Sequence, residues 1–337
     1  KPKMIILGVQ HMFAMFGATI LVPILTGLDI STTLLMAGLG TLLFHCITKF
    51  KVPAFLGSSF AFLGGYAAIK AFSPNDPNSM LPYACLGVAC AGLIYFILAA
   101  VIKAVGIEKV MRFFPPVVTG PIIIAIGLGL APSAVSNCTT NWFLAVVALA
   151  VIVVFNIWGK GMAKIIPIIL GLLISYGTGL VLYFISQANP DLIQNVPWLF
   201  SGGADANGVY QPIFDFTSLN TICDNISKGH IFGSEGLIGI PIHWDKTVFG
   251  GIDYSNGALI ASSIIAIVPI AFATMMEHIG DICAISSTTG NNYIKDPGLH
   301  RTLVGDGLAT TLASLFGGPA NTTYGENTGV LALTRVY

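Results

Sequence analysis

Glu277, Asp281, Asp306 and Glu326 are carboxylates set in stretches that are otherwise apolar. A charge at the centre of a membrane helix costs at least about 2.5–3.5 kcal/mol, so each of these acids calls for a function or a buried partner. Glu277 and Asp281 lie four residues apart in "MMEHIGDICAI", which places them on one helical face. Two acids that close in a low dielectric resist ionising together, so one of them holds a proton. That is a proton-coupling element in outline. Glu326 follows Gly325 in "TTYGENTGVLALTR", and Arg335 closes that run, where it neutralises a carboxylate or reaches the interface. For Asp306, between two glycines, the expected role is structural: His278, Asn327 or backbone amides would satisfy it. His11 and His278 read as hydrogen-bonded core, and Phe13, Phe16, Phe60 and Tyr324 as packing or as flanks for a planar ligand. No Cys/His spacing fits a metal, and no phosphate loop or hydrolase motif is present, so neither a cofactor nor an enzyme is expected.

The elements that must position these acids are membrane helices. Of the 337 residues, 55% are hydrophobic and 9% charged, against about 25% charged in soluble domains. A crossing takes about 20 helical residues. Candidates are 4–25, 30–48, 81–102, 117–134, 141–158, 165–186 and 258–283, with shorter interrupted segments at 54–72, 303–317 and 320–337. This gives about ten crossings. Lysine and arginine fall mainly at the N-terminus and in every second connection, with Lys70, Lys228 and Lys246 as exceptions, while Asp29, Asp76, Asp191 and Asp245 fall in the alternate ones. That alternation places the N-terminus in the cytoplasm of a multi-pass cell-membrane protein. Net charge is zero, so no nucleic-acid partner is expected. Residues 188–256 are too polar to cross and read as a large outer loop with short structure of its own. Cys138 and Cys223, both in outer loops, are a candidate disulfide.

The two ends of the chain echo each other. Gln10 in "GVQHMFAMFGAT" precedes Pro53 of "VPAFLGSSFAF" by 43 positions, and Glu277 precedes Pro319 of "GPANTTYGENTG" by 42. Aligned on the Pro-Ala pairs, Phe60 matches Glu326 and Ser59 matches Gly325. The loop count gives the two halves opposite directions through the membrane, which is the pattern of inverted-repeat transporters with substrate at paired breaks. Helix N-termini at such breaks expose amide N–H groups to a ligand carbonyl. The first unit holds seven spans and the second three, so the chain reads as part of a longer protein.

"QHMFAMFGATILVPILTG", "KVPAFLGSSFAF", "MEHIGDI" and the block from "KDPGLHRTLVGDG" to "TTYGENTGVLALTR" resemble the nucleobase–cation symporters, the nucleobase–ascorbate transporter family, in its bacterial uracil branch. The resemblance implies an all-α polytopic fold of seven-plus-seven inverted repeats. Two short antiparallel strands would meet at breaks 54–60 and 319–326, and this chain would carry about ten of fourteen spans. Residues 1–112 and 257–337 would form a core domain, 113–187 a gate domain and 188–256 an extracytoplasmic insertion.

Carried over by motif, Glu277 and Glu326 would bind the nucleobase. Ser59 would lie beside them, and the amides of Phe60 and Gly325 would meet the base's carbonyls. Ala18 and Tyr324 would line the ring, and Glu277, Asp281 and Glu326 would handle the proton. Uracil alternates N–H donors and carbonyl acceptors, which ionised carboxylates and backbone amides match. The implied activity is uracil–proton symport by alternating access. The purine branch usually has an amide residue at Glu326, which favours uracil. Asp281 departs from the histidine frequent in the uracil branch and leaves a xanthine or broader nucleobase range open. A passive channel or anion transporter of the same fold is the other alternative, against which unprotonated Glu277 and Glu326 would repel anions. Beyond the nucleobase and the proton, the partner is the lipid bilayer, and the resemblance leaves a homodimer open.

Overall fold

The structure, a computed structural model, describes residues 2–106, 108–109, 112, 116–160, 162–165, 167–205, 207–217, 219 and 241–334. Helices form where apolar runs are long, and strands form where Gly, Ser and Thr interrupt them. Helix α1 covers Pro2–Thr26 and α2 Ile30–Ile47. Asp29 starts α2 by accepting a hydrogen bond from Thr32 N at 2.7 Å, an N-cap that satisfies one orphan amide. Strand β1 (Leu56–Ser58) and the short helix α3 (Leu63–Lys70) follow, then α4 (Leu81–Val105). Next come α5 (Pro116–Cys138), α6 (Trp142–Trp158) and α7 (Pro167–Ala188). A hairpin, β2 (Ser201–Ala204) and β3 (Tyr210–Pro212), precedes α8 (Gly257–Ile267) and α9 (Ile270–Thr289). The last elements are α10 (Leu299–Leu315), β4 (Asn321–Thr323) and α11 (Gly325–Thr334).

The chain divides into two compact units, one of residues 1–126 with 241–337 and one of residues 127–240. In the second, Tyr176, Tyr183, Phe214 and Phe216 form an aromatic cluster, with Tyr176 and Phe214 centroids 4.8 Å apart. Residues 188–256 carry short structure, including helical turns at Asp191–Asn195, Pro197–Phe200 and Val248–Gly251 and the β2–β3 hairpin, while Cys223 lies outside the described residues.

Among the described residues four helical stretches are long and apolar enough to cross a bilayer: Ile30–Ile47, Pro77–Val105, Leu170–Ala188 and Gly257–Thr289. Met15–Thr26 and Trp142–Trp158 are apolar but shorter. Segments 54–72 and 320–337 do not form single helices, because each spends its Gly/Ser/Thr break on a strand.

Strands β1 and β4 pair antiparallel in the first unit, with Leu56 opposite Thr323, Gly57 opposite Thr322 and Ser58 opposite Asn321. All six residues are buried. Each strand's outer edge meets a threonine. Thr41 of α2 accepts from Leu56 N at 3.1 Å and donates to Leu56 O at 3.2 Å, while Thr310 of α10 donates to Asn321 O at 2.8 Å. Around the strands lies a core that includes Phe44, Phe62, Tyr66, Tyr95, Ile267, Met275 and Ile282.

Helices α4 and α10 touch backbone to backbone. A Cβ on residue 307 would lie 2.6 Å from Gly92 O, and one on residue 92 would lie 2.8 Å from Gly307 O. Small residues at such crossings let helices pack without a hydrophobic drive. Gly307→Leu is therefore expected to cost about 3 kcal/mol or more, since both contacts are main chain and cannot yield. Gly64→Ala, whose Cβ would meet nothing within 4 Å, should be neutral. Thermal unfolding in detergent, with monodispersity by size exclusion, separates the two.

Candidate functional site

The two breaks bring chemistry together at the end of β4. Tyr324 N donates to Phe55 O at 3.0 Å and Ser59 N to Ala320 O at 2.9 Å, extending the pairing at both ends of β1. The Tyr324 ring lies against Gly57, where a Cβ would come 2.5 Å from it. Its hydroxyl donates to Ser58 O at 3.0 Å and accepts from Thr19 Oγ1 at 3.2 Å, while Ser58 Oγ donates to Thr19 O at 3.1 Å. Helix α1, both strands and the start of α11 are thus tied together.

Behind β4 lies a buried acid. Asp306 of α10 is fully buried; its Oδ1 accepts from Thr323 N at 3.1 Å and its Oδ2 from Thr322 Oγ1 at 3.3 Å. His278 Nδ1, also fully buried, stands 3.4 Å from Asp306 Oδ2. A buried carboxylate survives only when paired and hydrogen-bonded, and Asp306 has a backbone amide, a hydroxyl and an imidazole. The structural role expected for it, with His278 and a backbone amide as partners, is the role it has.

Asp281 faces the same strand from α9. Its Oδ2 accepts from Thr323 Oγ1 at 3.1 Å, and a Cβ on residue 325 would lie 3.1 Å from its Oδ1. Glu277 lies one turn earlier on α9 and, like Asp281, is half-buried. Ala18 and Phe60 are half-buried, one beside Thr19 on α1 and the other just after β1. Ser59 is buried, with its amide engaged by Ala320 and its hydroxyl 3.4 Å from Ala61 N. Gly325 is exposed and opens α11, where first-turn amides have no intrahelical acceptor. Glu326 is the second residue of α11; its side chain, those of Gln10 and Phe13, and Arg335 lie outside the described residues. No cluster of metal-binding side chains is found among the described residues.

A family model described as "Permease family" matches residues 2–337. The uracil permease of Bacillus caldolyticus is 39% identical over 99% of this chain and 67% of its own length. That of Bacillus subtilis (strain 168) is 37% identical over 98% of the chain and 67% of its length. That of Escherichia coli (strain K12) is 30% identical over 98% and 66%. The chain belongs to the nucleobase–ascorbate transporter family of permeases. It is a multi-pass membrane protein and a transporter, not an enzyme. The chain spans about two thirds of the length of these relatives.

Sequence reasoning missed Thr19, Gly57, Ser58, Thr322 and Thr323, the residues that hold this permease's site together. The signal was present in "NTT" before Tyr324 and "GSS" before Phe60, since Thr and Ser at a break supply hydroxyls that replace lost backbone partners. Asp306→Ala would leave Thr323 N, Thr322 Oγ1 and His278 Nδ1 short of an acceptor in the core. It is expected to destabilise the fold by about 3–5 kcal/mol, and Asp306→Asn by less, since the amide oxygen still accepts. The melting temperatures of the two purified variants, ranked against wild type, check this order.

Proposed function

We propose that this permease imports uracil together with a proton, by alternating access. The observation that carries the reading is the convergence of α9 acids and β1–β4 backbone at one place. Half-buried Asp281 binds Thr323 at the end of the strand that leads through Tyr324 into Gly325 and Glu326, and half-buried Glu277 lies one turn earlier on the same helix. The names of the relatives, uracil permeases at 30–39% identity, supply the substrate.

In this mechanism the flat pyrimidine is held at its edges. Glu277 and Glu326 accept from its N–H groups, amides at Phe60 and Gly325 donate to its carbonyls, and Ala18 and Tyr324 line its faces. Charge-assisted bonds to both N–H groups favour a base over a sugar or an ion. Glu277 and Asp281, at adjacent turns, share the proton, because a second negative charge in this partly desolvated place is costly. Residues 1–112 and 257–337 act as the core and 113–187 as the gate, with the N-terminus in the cytoplasm and the site in an inverted repeat. A threonine of α2 at Leu56 and one of α10 at Asn321 are consistent with that repeat without being aligned positions of it. The grouping of the first and last parts of the chain in one compact unit supports it.

Glu326→Ala is expected to weaken uracil binding about 10- to 100-fold, the worth of a hydrogen bond to a charged group. Glu277→Gln should retain part of the binding and lose acid-driven accumulation. Radiolabelled uracil uptake into proteoliposomes, with and without an inward proton gradient, measures both. Wild-type uptake that ignores the proton gradient and follows voltage alone would refute the coupling.

A further inference from the structure

Thr323 stands between the acid that faces the site and the buried pair behind it. Its Oγ1 is 3.1 Å from Asp281 Oδ2 and 3.2 Å from His278 Nδ1. His278 Nδ1 in turn is 3.4 Å from Asp306 Oδ2, and Thr323 N donates to Asp306 Oδ1 at 3.1 Å. One residue therefore binds Asp281 through its side chain and Asp306 through its backbone.

The geometry orients the hydroxyl. A threonine hydroxyl donates one hydrogen bond and accepts others, and an imidazole nitrogen donates only when it carries a proton. His278 Nδ1 has two acceptors in reach, Asp306 Oδ2 and Thr323 Oγ1, so a proton on Nδ1 serves both. Among the described residues His278 Nε2 is buried without a hydrogen-bond partner, a place better suited to a lone pair than to an N–H. With Nδ1 as donor, the proton of Thr323 has Asp281 Oδ2 as its acceptor.

We propose that Thr323 is a positioning residue that stabilises the ionised form of Asp281 and transmits its titration to β4, the strand that leads into Tyr324 and Gly325. When Asp281 takes up a proton, the charged acceptor of Thr323 becomes a neutral, weaker one, and the strand's tie to Asp281 loosens while its contact with His278 stays. Its backbone anchor on Asp306 remains. Proton binding thereby changes the restraint on the substrate-facing amides without moving the buried pair. The other titratable groups here are Glu277 and His278 on α9, Asp306 on α10, Glu326 on α11, Tyr324, and Tyr95 on α4, which faces Asp306 and Glu277. Among the contacts above, Thr323 alone joins Asp281 to the buried pair. The inference rests on the proton-coupled uracil reading above.

The test is the pH dependence of uracil uptake by the full-length protein in proteoliposomes, with equal pH on both sides, from pH 5 to 9. Thr323→Val keeps shape and removes the donor. A carboxylate that loses a donor holds its proton more tightly, so the midpoint should move alkaline by about one unit, a tenfold change in proton affinity. Thr323→Ser should restore the wild-type midpoint, and in an Asp281→Asn background Thr323→Val should leave the profile where Asp281→Asn puts it. If Thr323→Val does not yield monodisperse protein, Thr323→Cys, a weak donor of similar reach, should give an alkaline shift of the same sign. An unchanged midpoint in the donor-deficient variant, with wild type taking up uracil in a pH-dependent way, overturns the role of Thr323. Wild type without uracil uptake, or without pH dependence, overturns the reading on which it rests.

Discussion

Backbone that leaves helical geometry inside a bilayer has no water to turn to. Each unpaired N–H or C=O there costs several kcal/mol, so a break in a spanning segment is stable only if something else completes its hydrogen bonds. In this protein the two breaks complete each other. Leu56–Ser58 pairs with Asn321–Thr323, and what the two-stranded ladder leaves over is taken by Thr41 and Thr310. Two strands alone form an edge on both sides. Here helices α2 and α10 cover those edges with hydroxyls, and Asn321 Nδ2 reaches Met36 O at 2.9 Å to fasten β4 to α2.

The polar groups of the site follow from that solution. Because β4 is short, the Thr322 hydroxyl and the Thr323 amide both reach Asp306, which gives a buried carboxylate donors it needs. Asp306 is then part of the strand's scaffold, and Asp281 is the acid left half-buried against Gly325. Two carboxylates of the same type therefore differ in task because their surroundings differ. One is enclosed by three donors; the other is half-buried beside Gly325. The Tyr324 ring on Gly57 needs the missing Cβ, whereas a Cβ at Gly325 would only crowd the Asp281 carboxylate at 3.1 Å.

Much of this was legible in the sequence. Membrane class followed from low charge, a relation between the distant breaks from the echo between "VPAFLGSSFAF" and "GPANTTYGENTG", their pairing as strands from the family resemblance, and the structural role of Asp306 from its flanking glycines. The span count was less legible. Hydropathy reports how apolar a stretch is, whereas segments 54–72 and 303–317 take part through strands and polar packing, so they fall short of the length and apolarity of a free-standing span. The role of Thr323 was invisible for a related reason. A threonine in a strand looks like a β-branched filler, and only the register that sets it between Asp281 and His278 shows its hydroxyl to be engaged.

The same ladder limits how the site can open. Strands β1 and β4 come from opposite ends of the chain, and Tyr324 binds both the Ser58 carbonyl and Thr19 of α1. Pulling the breaks apart to admit a ligand would strand a row of main-chain groups in a low dielectric, at several kcal/mol each. That cost exceeds what binding a small planar molecule returns, since even efficient small ligands gain at most about 1.5 kcal/mol per heavy atom and spend part of that on ordering. Under the alternating access proposed above, exposure of the site to one face and then the other would leave β1–β4 intact and carry it as a body. In a chain built this way, the proton is best placed on a group that touches the ladder without belonging to it, which describes Asp281 and not Asp306.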